Sequence, residues 1–175
     1  MDGVARAAHG RAEAIDDGPD RELRKEAFTM ALYVAVCLLA ALTALSEHAD
    51  RELVEVLGIV WGTTIGLALA HWFAFRMSAR LVESGAVRHR DTQLAFAQMT
   101  GAVAVAAAST VPVLVFPASA ELDAVRLLLA GFICGVAYLV ARSNGSGRGR
   151  AAAYSASVLV VALTIAIVKN VLSGH

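Results

Sequence analysis

Five stretches of this chain, 27–45, 53–75, 93–116, 122–141 and 151–168, are apolar on every side of a helix drawn through them. None shows the period-two alternation of a half-buried strand, and none keeps its apolar residues to a single stripe. Each is close to the ~20 residues that cross about 30 Å of hydrocarbon at 1.5 Å per residue. A helix that is hydrophobic all round is either deeply buried or in lipid. Five of them in 175 residues leave too little polar chain to wrap the rest. The pattern therefore predicts an all-α integral membrane protein, a bundle of five transmembrane helices occupying 27–172.

The flanks fit that division. Residues 1–26 are polar and carry no apolar run, which predicts a cytoplasmic segment that is partly disordered. Within it, Pro19-Asp20-Arg21-Glu22 resembles a helix start that leads straight into the first span. Asp50, Asp91 and Ser119 stand where N-caps would stand for spans two, three and four. The Gly/Ser/Arg-rich stretch 142–150 reads as a flexible basic connector before span five.

Composition strengthens the picture. The chain is 58% hydrophobic and 17% charged, against about 45–50% and 25% for soluble domains. Net charge is zero, so no nucleic-acid partner is expected. The lipid bilayer is the partner implied, with a homo-oligomer or another membrane protein beside it. Cys37 and Cys134 lie inside apolar runs, form no CxxC pair, and read as small buried hydrophobes. No Walker A, HExxH or paired intramembrane carboxylates occur. No cofactor or resident metal is expected, and an enzyme is the least favoured class.

Charge placement sets the orientation. Twelve of the Lys and Arg residues fall in 1–26, the 2–3 loop and the 4–5 loop, while Arg51, Arg126 and Lys169 alone fall on the other side. By the positive-inside rule the N-terminus is cytoplasmic and the C-terminus outside. Tyr33, Trp72, Tyr138 and Tyr154 sit near the inner ends of their helices, as an interfacial belt would. The expected location is the cell membrane, multi-pass.

Two groups of residues are candidates for function. Gly58, Gly62 and Gly66 form overlapping GxxxG motifs in span two, and Gly131 and Gly135 repeat the spacing in span four. In lipid there is little hydrophobic force between helices, so close approach at small residues supplies the packing. Packing within one chain is the expected use, with span two as the central element and contact between subunits as the alternative. Span three carries Ala97, Gly101, Ala104 and Ala108 down one side, and Pro112 near its outer end.

The second group is acidic. Glu47, His48, Asp50, Glu52 and Glu55 surround the start of span two, facing Glu121 and Asp123 across the bundle. They could attract cations, although negative charge in first helical turns also suits the helix dipole. Glu55 is the sharper candidate because it lies a turn inside the span, on the glycine face. His71, beside Trp72, reads as an interfacial residue. The function carried forward is a small oligomeric channel or transporter subunit for cations. The competing class is an accessory or scaffold protein that binds a partner.

Overall fold

The computed structural model describes the backbone of residues 2–45, 53–82, 89–117 and 119–172, with side chains from Asp20 onward except 79–82, 89, 166, 169, 170 and 172. Five helices account for nearly all of it: α1 Asp2–Thr43, α2 Leu53–Val82, α3 His89–Val115, α4 Glu121–Ser143 and α5 Arg148–Leu172. Four of them hold segments long and apolar enough to cross a membrane: Asp20–Thr43, Leu53–Ser78, Arg90–Val115 and Glu121–Ser143.

Three boundaries differ from the sequence reading. Helix α1 starts at Asp2 and continues through Gly18 and Pro19 instead of starting at Pro19. The alanines, arginines and glutamates on either side are good helix formers and favour continuity across the break. At α4 the N-cap position is Ala120, not Ser119, and no side chain caps it. Pro117 does that work instead, since its carbonyl accepts from the Ala120 and Glu121 amides at 2.8 and 3.0 Å. Asp91 likewise lies within the first turn of α3, not before it.

The helices alternate in direction. Arg90 and Gln98 of α3 meet Glu22 and Glu26 of α1 in ascending order, so α1 and α3 run the same way. Trp61 of α2 donates through Nε1 to Thr110 Oγ1 at 3.1 Å, which sets α2 against α3 in the opposite sense. Arg126, in the first turns of α4, reaches the carbonyls of Leu42 and Leu45 at the end of α1. Ser155 Oγ of α5 donates to the Cys134 carbonyl of α4 at 2.8 Å. The bundle is thus up-down-up-down-up. Arg24, Lys25, Arg76, Arg90, Arg142 and Arg148 gather at one end, with Glu55, Asp123 and Arg126 at the other.

Span two is not the central element; α1 is. Every other helix packs on α1, and the remaining contacts run α2 to α3, α3 to α4 and α4 to α5. The four helices form an open ring around α1, and among the described residues α2 touches only α1 and α3. The reason lies in side-chain distribution. Helix α1 buries two adjoining faces, with Met30, Val34, Leu38 and Leu42 on one and Ala31, Ala35 and Leu39 on the other. Helix α2 buries a single narrow row, Val56, Val60 and Thr64. Only 17% of its apolar window is buried, against 44% for α1. Helix α4 buries one i+4 ridge that tapers from Leu129 and Ile133 to Ala137 and Ala141. That taper lets α5 come close enough for the Ser155 bond.

One buried polar group lacks a reward. The Ser109 hydroxyl of α3 is fully enclosed and has no hydrogen-bond partner among the described residues. A buried hydroxyl left unpaired costs stability. Ser109→Ala is therefore expected to be neutral or to stabilise by about 1 kcal/mol. Thermal unfolding of purified protein in detergent checks the sign.

Candidate functional site

The glycine motifs face away from the rest of the chain. Gly58, Gly62 and Gly66 are exposed, and a methyl group built on any of them meets nothing within 4 Å. Gly131 and Gly135 of α4 are in the same position. Among the described residues, the in-chain seam expected from their spacing is not formed. The close approach that does occur is at Gly101 of α3, where a Cβ would lie 2.1 Å from the Ala27 carbonyl oxygen of α1. The physical reason is general: a small residue permits close approach, but which helix accepts the invitation depends on the whole packing.

Of the acidic group, Glu47, His48, Asp50 and Glu52 lie outside the described residues. Glu55 is in the first turn of α2 and exposed, on the same outward side as the glycines. It does not point into the bundle. Glu121 is 3% exposed in the first turn of α4, whereas Asp123 is open to the surroundings and pairs with Arg126 one turn on. No cluster of three His, Cys, Asp or Glu suited to a metal ion occurs among the described residues. The interior is mainly apolar: Val34, Leu38, Val56, Val60, Leu129 and Ile133 are at most 1% exposed, and the buried polar residues Thr64, Ser109, Glu121 and Ser155 are scattered over four helices.

The structure also brings together polar groups that sequence spacing leaves apart. At the basic end, Gln98 of α3 donates to the Glu26 carboxylate of α1 at 2.7 Å, and Arg90 pairs with Glu22 a turn lower. Beside them is a cavity of about 250 Å³ lined by Thr29, Met30, Tyr33, His71 and Gln98. A neighbouring space against Trp72 and Phe75 shares His71, Met30 and Gln98. Arg76 stacks over the Trp72 ring at 4.9 Å from its centroid. His71 is exposed and lines both spaces beside Met30 and Gln98. The Glu26–Gln98 bond was faint in sequence because its two members come from α1 and α3 at unrelated spacings.

No known family pattern, no curated protein and no solved structure matches this chain. The functional reading rests on the geometry alone.

Proposed function

We propose that this chain is a five-span membrane protein that works as a subunit of a lateral assembly joined through α2. The observation that carries the reading is the unpartnered α2 face, where Glu55, Gly58, Gly62 and Gly66 share one exposed side. Exposed apolar side chains cover the outside as well, among them Val54, Leu127, Leu139 and Val160. In water such a surface would drive aggregation; in lipid it is the natural exterior. Helix α5 is long enough for a fifth span at 25 residues, with Val161, Ile165 and Ile167 turned outward. The basic end, with Tyr33, Trp72, Tyr138 and Tyr154 toward it, fits a cytoplasmic N-terminus and an external C-terminus in the cell membrane.

The apolar interior bears on the transport reading. A cation path within one copy would find only scattered buried polar groups, Thr64, Ser109, Glu121 and Ser155, so the path we propose lies between copies, with Glu55 carboxylates gathered at its outer mouth. Two glycine faces meeting at α2 would bring those carboxylates close, and the acidic residues before α2 would add to the local negative potential. The scaffold reading keeps the same α2 face and gives it a different membrane protein as partner.

One experiment separates them. Purified protein is cross-linked and its association measured in lipid, and cation flux is followed in liposomes, for the parent chain, Gly62→Leu and Glu55→Gln. The expected result is self-association that Gly62→Leu weakens at least about tenfold, equivalent to about 1.4 kcal/mol. Flux should fall severalfold with Glu55→Gln while association is kept. Self-association without flux removes the channel and leaves assembly. No self-association, together with no partner that depends on Gly62, overturns the proposal.

A further inference from the structure

A second feature of the outer surface lies away from α2. Between α1, α3 and α4 runs a groove of about 300 Å³. Small residues on α3, Gly101, Ala104 and Ala108, make its floor, and Phe28 of α1 and Phe132 of α4 contribute to its walls. It exists because Gly101 seats directly on the Ala27 backbone, drawing α1 and α3 together while leaving nothing large above the contact. Thr100 also lines it, but its hydroxyl donates back to the Phe96 carbonyl at 2.9 Å, so the wall is effectively apolar there. Arg24 is the one charged residue in the lining, and it stands at the basic end of the bundle.

The dimensions indicate what fits. From Thr100 to Ala108 the groove follows α3 for about 12 Å at 1.5 Å per residue. One leaflet's share of a hydrocarbon core about 30 Å thick is about 15 Å. The groove thus runs from headgroup level at Arg24 to near the midplane. A helix from a second copy, about 10 Å across with its side chains, is far wider than one acyl chain. A single acyl chain is slender enough. A guanidinium at the mouth complements a phosphate, which it can bind through two parallel hydrogen bonds. Basic pockets between membrane helices on the cytoplasmic side are where anionic headgroups bind.

We infer that this groove is a site for an anionic phospholipid, with one acyl chain lying along Gly101, Ala104 and Ala108 and its phosphate on Arg24. The site needs only that the bundle sits in lipid. It shares no residue with the α2 face, so it stands or fails apart from the assembly proposed above.

Native mass spectrometry of the detergent-solubilised full chain tests it, with titration of phosphatidylglycerol or phosphatidylcholine as the probe. One phosphatidylglycerol should be retained in preference to phosphatidylcholine by about fivefold, the factor that one basic residue near the headgroups supplies. Arg24→Gln should bring the two lipids to equal retention. Ala104→Phe should fill the groove and release both, whereas Val160→Phe, on the exposed side of α5, should change nothing. Ala108→Phe repeats the block one turn along if Ala104→Phe lowers helix content. Equal retention of the two lipids by the parent chain overturns the inference. So does a preference that survives Arg24→Gln, or lipid binding undiminished in the blocked variants.

Discussion

Gly101→Ala should destabilise the bundle by about 3 kcal/mol, the upper end of what a single added methyl costs in a packed interior. The added carbon would lie 2.1 Å from the Ala27 carbonyl oxygen, 2.9 Å from its carbonyl carbon and 3.2 Å from its Cα. All three are backbone atoms of α1, so no side chain can swing aside. The two helices must separate, and the Glu26–Gln98 bond and the Glu22–Arg90 pair bridge the same two helices. Gly131→Ala and Gly135→Ala are the controls. Their added methyl groups meet nothing within 4 Å, and alanine favours a helix interior over glycine by about 0.8–1 kcal/mol. Those two variants should hold or gain stability. Thermal unfolding in one detergent, all three variants side by side, reads the opposite signs. A Gly101→Ala protein as stable as its parent would show that α1 and α3 do not approach at that point.

That contrast marks how far the sequence could be read. The helices themselves were legible because apolar runs of membrane length leave few other structures available, and the alternation of basic loops matches the ends of the bundle. The arrangement was not. Gly58, Gly62 and Gly66 give the strongest spacing signal in the chain, yet they face outward, while the solitary Gly101 makes the tight contact. Spacing measures how smooth a helix face is; it carries no information on the facing helix. The central place of α1 follows from two adjoining buried faces, Val34 and Leu38 on one and Ala35 and Leu39 on the other. In an all-round apolar run those faces look no different from a face turned to lipid. The Glu26–Gln98 bond was hidden for a related reason, since two separate helices supply it. Of the candidates around the start of span two, Glu55 lies among the described residues, on the glycine side of α2.

Arg126 carries the other large effect, and its role was also invisible in sequence, where it merely counted against the positive-inside bias. Its side chain is 20% exposed. Nη2 donates to the Leu42 carbonyl at 2.8 Å and to the Leu45 carbonyl at 3.3 Å. The last carbonyls of a helix have no partner within it. At the end of α1, Thr43 returns a bond to Ala40 at 3.0 Å, and a cation from a neighbouring helix covers the carbonyls beyond. Hydrogen bonds from a charged donor contribute about 1.5–3 kcal/mol, and a cation at a helix C-terminus adds about 0.3–1 kcal/mol. Arg126→Met is therefore expected to cost about 2–4 kcal/mol. Arg126→Lys should recover only part, because the guanidinium reaches Asp123 through Nη1 while Nη2 covers the two carbonyls, a spread that one ammonium does not match. Asp123→Asn removes only a largely exposed partner at 3.3 Å and should cost less than about 1 kcal/mol. Hydrogen exchange at the end of α1 distinguishes a cap from a general packing role. Loss of the cap should speed exchange of the Ala44 and Leu45 amides, whose bonds to Ala40 and Leu42 close that last turn. Amides near Val34 and Leu38, deep in the packed middle of α1, should keep their protection. If exchange instead rises along the whole of α1, Arg126 holds α4 against the bundle and is not a cap of one helix end.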